Sequence, residues 1–305
     1  MGASLLHLLE QRRSLAALSR IALDALAKRG RDASTPVTTP ITTPGPWVEE
    51  RVAAPSSALV RAFVRDAGGD PRAYRDRVPV GLFPQWTFSA LSSALSTLPF
   101  DLTRVLNQGV TVVRAGLVRQ GEPLVVRARL ASVETDERRA RFVTELESGP
   151  EAQPDALVAR VHTYLPLGKG GVPRDGSRAR SAETPSATAR ETAVWSLSRT
   201  AGRDFAVLTG DVNPIHWLAP AAKMAGFRSP ILHGFAAMAR SIEALNRAVL
   251  VGAPSRLAGF DVRFLRPLAL PARVALYVDR DAGRCWVADG PQGPAYLSAS
   301  YEVSR

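Results

Sequence analysis

The sequence predicts an α+β protein made of two copies of one unit, each a helix followed by several antiparallel strands that wrap around it. Three observations predict it. Residues 109–134 (GVTVVRAGLVRQGEPLVVRARLASVE) and 259–281 (GFDVRFLRPLALPARVALYVDRD) share one pattern: an alternating strand, a short break with Gly or Pro, and a second alternating strand. Each is preceded by an apolar, helix-like segment, FPQWTFSALSSAL at 83–95 and LHGFAAMARSIEAL at 232–245. Each is followed by two further strand-like runs, ARFVTELES and ALVARVHTYL in the first copy, RCWVADG and AYLSASYEV in the second.

Taken along the chain, residues 1–30 come first. Leu8, Leu15 and Ala22 recur at seven, with Leu18 and Ala25 beside them, so an apolar stripe backs an Arg-bearing face. Such a helix packs on the body or on another subunit; a membrane surface is the lesser alternative, because the polar face carries acids. Residues 31–46, containing STPVTTPITTPGP, repeat proline too often for regular helix and read as an extended linker. Residues 47–167 hold the first copy. A second linker at 168–191 is rich in Gly, Pro and Ser with no apolar period, and 192–305 hold the second copy.

At 305 residues, 46% hydrophobic and 22% charged, the chain can bury a substantial core. Its one cysteine, Cys285 in the apolar run CWVA, excludes an internal disulfide and a Cys-based metal site, and reads as a core residue. Of the net charge of +11, more than half falls in the first 30 residues and in 169–180. Without a long basic run or interleaved aromatics, this argues against nucleic acid and suits an anionic small molecule or acidic carrier. No apolar stretch reaches the ~18 residues of a membrane span. The N-terminus lacks an early positive region, and Glu10, Arg12 and Arg13 cut its apolar run, so no signal peptide is expected and the protein reads as cytoplasmic.

The chemistry concentrates in TGDVNPIHWL, 209–218. Asp211 and His216 make a sensible proton-transfer pair: imidazole titrates near neutrality, and a nearby carboxylate orients it and raises its basicity. Asn213 can bond to loop backbone and Pro214 stiffens the turn, but residues of this kind also make ordinary caps, so both readings stay open here. Gly234 falls at the expected start of the second copy's helix, where unpaired N–H groups and the helix dipole favour negative charge on oxygen.

The run FAVLTGDVNPIHWLAPAAKMAGFRSPILHGFAAMA resembles the (R)-specific hydratase 2 signature of the MaoC-like family: an aromatic residue, G-D-x-N-P-aliphatic-H, A-G-F, then H-G. Phe205, Gly210, Asp211, Asn213, Pro214, Ile215, His216, Ala225, Gly226, Phe227, His233 and Gly234 supply every element. With the two-copy layout and AVWSLSRTAGRDFA upstream, the chain looks most like the double-hot-dog 3-hydroxyacyl-thioester dehydratases of actinobacteria, over about residues 50–305. The resemblance implies reversible hydration of a trans-2-enoyl thioester on CoA or acyl carrier protein, with neither metal nor cofactor, by a monomer or homodimer. It places the catalytic pair on Asp211 and His216, the oxyanion donor on the Gly234 N–H, and support on Asn213, with Gly210 and Pro214 shaping the loop. His233 is expected to set the helix start and Ser229 to serve the loop. A non-catalytic acyl-thioester binder or accessory subunit is the alternative, and a thioesterase a weaker one.

The first copy departs from the pattern. Gly69, Asp70 and Pro71 match part of the motif but no His follows, and Phe83-Pro84-Gln85 stand where the second copy has Leu232-His233-Gly234. By analogy with family members whose first half is degenerate, Trp86, Phe88 and Leu91 would line an acyl tunnel, if they do not simply pack the core. His162 is expected as a structural strand residue and His7 as a surface helix residue. A further alternative is a basic interaction protein that uses the N-terminal helix and the Arg-rich linker on membrane or nucleic acid; if the catalytic reading is right instead, removing residues 1–46 is expected to leave activity intact.

Overall fold

The computed structural model describes residues 4–29, 41–116, 118–167 and 183–304. The expected linker at 31–46 therefore lies outside the described residues up to residue 40, and that at 168–191 up to residue 182. A 3-10 segment, Leu5–Gln11, runs into α1 (Arg12–Arg29). The first copy follows: β1 (Val48–Ala53), α2 (Ser57–Asp66), α3 (Pro84–Leu95), β2 (Leu106–Ala115), β3 (Pro123–Asp136), β4 (Arg139–Gly149) and β5 (Leu157–Pro166). The second repeats the sequence: β6 (Arg190–Leu197), α4 (Ala201–Thr209), α5 (Ala219–Met224), α6 (Gly234–Ala248), β7 (Leu257–Phe264), β8 (Ala272–Asp279), β9 (Arg284–Ala288) and β10 (Leu297–Val303).

The two expected sheets are joined edge to edge into one antiparallel ten-stranded sheet, ordered β1-β3-β4-β5-β2-β7-β10-β9-β8-β6. Its second half mirrors its first, so the copies meet where β2 pairs with β7, Val110 opposite Val262 and Val112 opposite Phe260. Inward residues alternate along the strands, as in β3, where Leu124, Val126, Ala128 and Leu130 are buried. They close on α3 and α6, one helix per copy. Helix α6 is buried from Ala236 to Asn246, its polar residues included, because they find partners: Arg240 bonds to Asp66 and Glu243 to Tyr74. Helices α2 and α4 cross at Phe63 and Phe205, whose ring centroids are 6.1 Å apart. Strands β1 and β6, the sheet's outer edges, were not among the expected strands.

Helix α1 lies on the body, turned from the expected stripe. Its buried face is Gln11, Ser14 and Ala17, while Leu5, Leu6 and Leu9 are exposed and Leu8, Leu15 and Leu18 only partly covered. The side chains of Ala22 and Ala25 lie outside those described. The buried face is small and polar because hydrogen bonds dock it: Gln11 Nε2 donates to the Leu208 carbonyl at 3.0 Å and Gln11 Oε1 accepts from Gln85 Nε2 at 3.0 Å.

Cys285 is wholly buried on β9, and burial pushes its thiol up to about 12, so it stays protonated and inert. His162 sits on β5 beside Thr111, its Nε2 3.3 Å from the hydroxyl, and His7 Nδ1 lies 3.6 Å from Glu10. No described helix is long and apolar enough to cross a membrane.

One polar group inside the core carries a pH dependence. Glu243 of α6 is 1% exposed, takes the Tyr74 hydroxyl at 2.6 Å, and leaves Oε2 without a donor. Burial raises its pKa to about 7, against the opposing effects of Tyr74, Arg247 and Asn246. A carboxyl whose folded pKa is raised favours folding while protonated; that contribution is complete below its unfolded value near 4.5 and is lost as pH rises through 7. Glu243→Gln, which stays neutral, should therefore gain stability relative to the wild type between pH 5 and pH 8. The gain is on the order of 3 kcal/mol, read from denaturant unfolding at the two pH values. A difference that does not grow with pH would place a charged Glu243 in the fold.

Candidate active site

The TGDVNPIHWL loop is a helix cap and a site at once. Helix α4 ends at Gly210, whose left-handed φ of 79° closes the helix, its N–H donating to the Ala206 carbonyl at 2.8 Å. The chain then turns through Asp211, whose Oδ1 accepts the Asn213 N–H at 3.4 Å. Asn213 caps the next 3-10 turn, Pro214–His216, by accepting the Ile215 N–H at 3.3 Å. Pro214 occupies the first position of that turn, where no N–H is needed. Trp217 ties the loop off, donating its indole N–H to the Val212 carbonyl at 3.1 Å.

Both imidazoles are ordered by backbone carbonyls. His216 Nδ1 lies 2.8 Å from the Ile231 carbonyl, which can only accept, so Nδ1 carries the proton and Nε2 keeps its lone pair. Burial lowers the pKa of His216, against the Asp211 charge and the Ile231 hydrogen bond, so the ring is neutral at physiological pH. His233 is buried at 1% exposure and precedes α6 as its cap residue. Its Nε2 donates to the Asp211 carbonyl at 3.0 Å, so it fastens the loop as well as marking the helix start. Burial and the neighbouring His216 push its pKa down to about 3.

Ligand-type atoms of Asp211, His216 and His233 lie within 4.8 Å of one another, a spacing a divalent cation would also tolerate. The rings, however, are stacked, with centroids 3.6 Å apart and planes 23° off parallel. Lone pairs lie in the ring planes, so rings so nearly parallel cannot both aim one at an ion about 2 Å away.

Gly234 opens α6 immediately behind the pair. Among the described residues no acceptor takes its N–H, as expected at a helix start. A Cβ there would stand 2.7 Å from the Phe264 ring, so only glycine fits without moving one or the other.

These groups line one cavity of about 1650 Å³, which Asp211, Asn213, Pro214, His216, His233 and Gly234 all border. Phe88 and Leu91 of α3 also line it. Trp86 does not: it is 6% exposed in the core, its indole N–H donating to the Ser148 hydroxyl at 3.0 Å. Ser229 does not line it either; its hydroxyl reaches only the Pro230 carbonyl, at 3.5 Å. Sequence reasoning missed Phe264, the Ile231 carbonyl, and Leu18 and Ile21 of α1, which form part of the cavity wall. No local motif marks these four; they meet the loop only through the fold.

The first copy is built differently at the matching places. Its helix begins with Pro84, which has no N–H to donate, and Asp70 is spent capping a 3-10 turn by accepting the Arg72 N–H at 3.0 Å. Glu243 packs against Gly69 from the other side, where a catalytic loop would need open space.

With this geometry in place, comparison with known proteins is informative. Residues 181–287 match the MaoC like domain. The 3-hydroxyacyl-thioester dehydratase X of Mycobacterium tuberculosis is 26% identical over 218 residues, 69% of this chain and 72% of its own. The crystal structure of HtdX from that organism superposes with a TM-score of 0.63 at 22% identity, covering 83% of this chain and 98% of that one. The peroxisomal enoyl-CoA hydratase 2 of Arabidopsis thaliana is 41% identical over 58 residues, 19% of each chain. A further Mycobacterium tuberculosis structure, described as a double hot-dog fold, superposes at TM-score 0.56 and 13% identity, covering 86% of this chain and 96% of that one. Residues 181–287 thus carry a MaoC like domain, and the chain as a whole has the double hot-dog fold of these solved structures.

Proposed function

We propose that the protein is a 3-hydroxyacyl-thioester dehydratase, adding water reversibly to a trans-2-enoyl thioester on CoA or acyl carrier protein to give the (R)-3-hydroxyacyl thioester. One observation carries this reading. The bare Nε2 of a neutral His216 and the Asp211 carboxylate share a cavity with the free N–H at the head of a buried helix. A base that can return its proton, a carboxylate to steady it while protonated and an oxyanion donor are what reversible addition next to a thioester requires.

In hydration, Asp211 and His216 hold the water. His216 Nε2 takes one of its protons as the oxygen bonds C3, and the C2–C3 π electrons move through C1 onto the thioester oxygen. The Gly234 N–H, reinforced by the α6 dipole, stabilises that enolate. As it collapses, C2 takes the proton from the imidazolium, whose charge the Asp211 carboxylate has balanced meanwhile. Dehydration runs the same steps backwards.

The experiment is incubation of the purified chain with crotonyl-CoA, following loss of the enoyl-thioester absorbance. Turnover to (R)-3-hydroxybutyryl-CoA is the expected result. Tight binding of butyryl-CoA with no turnover of crotonyl-CoA would instead establish the non-catalytic binder, and release of free CoA the thioesterase.

A further inference from the structure

The cavity that holds the catalytic groups, about 1650 Å³, exceeds the roughly 300–1,000 Å³ of ordinary small-molecule sites, and part of its wall belongs to a segment of the chain outside both hot-dog copies. Leu18 and Ile21 of α1 line it together with Phe88 and Leu91 of α3. We infer that Leu18 and Ile21 set the length of acyl chain the protein accepts, so that α1 is a specificity element for substrates with long apolar chains. This rests on the acyl-thioester reading above.

Two features show that this wall is built to stay in place. Helix α1 is docked by buried polar contacts whose geometry tolerates no sliding. The fully buried Gln11 has its amide N–H bonded to Leu208 and its amide oxygen to Gln85, and Ser14, 2% exposed, donates to the Gln85 carbonyl at 3.3 Å. A shift of one residue along the helix would leave these groups buried and unpaired, at about 1–3 kcal/mol each. Before them, Glu10 takes the Ser56 hydroxyl at 2.9 Å, and beyond them Arg20 donates to the Ser89 hydroxyl at 3.5 Å.

The same helix also touches the catalytic loop. A Cβ on Gly210 would come within 2.8 Å of the Ser14 Cβ, so α1 rests directly on the residue before Asp211. The apolar wall and the loop's backing are therefore one rigid piece, held to α3 and to the end of α4. These contacts count against the expectation that residues 1–46 can be removed without loss of activity.

An acyl chain attached at the Gly234 end would run along a wall to which Phe88, Leu91, Leu18 and Ile21 all contribute. Bulk added there should exclude long chains and spare short ones; bulk removed should admit longer ones.

The test compares kcat/KM for trans-2-dodecenoyl-CoA with that for crotonyl-CoA in wild type, Leu18→Trp and Leu18→Ala/Ile21→Ala. The long-to-short ratio should fall at least tenfold in Leu18→Trp and should move toward longer chains in the double variant. Thermal unfolding of each variant identifies any that fails to fold, and the other then decides. If the ratio in the folded variants equals that of the wild type, Leu18 and Ile21 do not measure the chain. Binding of dodecanoyl-CoA against butyryl-CoA reads the wall without the chemistry. Should the wild type hydrate nothing, a tenfold selective loss of dodecanoyl-CoA affinity in Leu18→Trp still supports the inference, and an unselective effect overturns it.

Discussion

His216→Ala and Asp211→Asn should each lower kcat/KM for crotonyl-CoA hydration by about 10²–10⁴, the usual worth of a positioned acid–base group. The two act at different points. Alanine at 216 removes the free Nε2 lone pair of a ring that lines the cavity, Nδ1 being held by Ile231; the other unpartnered imidazole nitrogen, His233 Nδ1, is buried. Asparagine at 211 keeps the size of the side chain and can still accept the Asn213 N–H, but it removes the charge that steadies a protonated His216. Neither change digs a cavity in the core, because the loop is held mainly by its own backbone bonds and by His233. Unfolding transitions should therefore stay close to wild type while activity collapses. Near-normal turnover in either folded variant would remove that residue from the chemistry.

The second large effect concerns a residue with no side chain. Gly234→Ala should cost about 10²–10³ in kcat, the typical loss on misplacing one oxyanion donor. The cause is steric: the new Cβ would stand 2.7 Å from the Phe264 ring, and the helix start must tilt or the ring must leave. Either movement re-aims the N–H by more than an oxyanion site tolerates. The double variant Gly234→Ala/Phe264→Leu, which clears the ring edge, should recover part of the rate. An unchanged kcat in the single variant would show that the developing charge is met elsewhere.

The loop could be read from sequence because its parts are contiguous: Gly210, Asp211, Asn213, Pro214, His216, His233 and Gly234 lie within 25 residues, and each type has a local reason to be there. Strands with clean alternation, such as β3 and β4, were equally legible. The outer strands were not. β1 reads VEERVA, and only Val52 of its six residues is buried at this sheet edge, so its apolar signal is slight. Trp86 shows a different limit. Its helical spacing fits a tunnel wall as well as a core, and only its bond to Ser148, 62 positions away, decides. Helix α1 shows the sharpest one. Its leucines suggested the packing face, yet Gln11 and Ser14 are what it buries, because partners on α3 and α4 satisfy them. Polar residues that pair across the fold look, in sequence, like a solvated surface.

The pairing of β2 with β7 has a consequence for how the protein behaves when scarce. The cavity takes Phe88 and Leu91 from one copy and Asp211, His216 and Gly234 from the other, and the continuous sheet binds the two within one chain. In an assembly of separate hot-dog subunits the complete cavity exists only as often as the subunits meet, so it thins out on dilution. Here the halves keep their mutual concentration whatever the number of molecules in the cell. The cavity is therefore complete within each polypeptide.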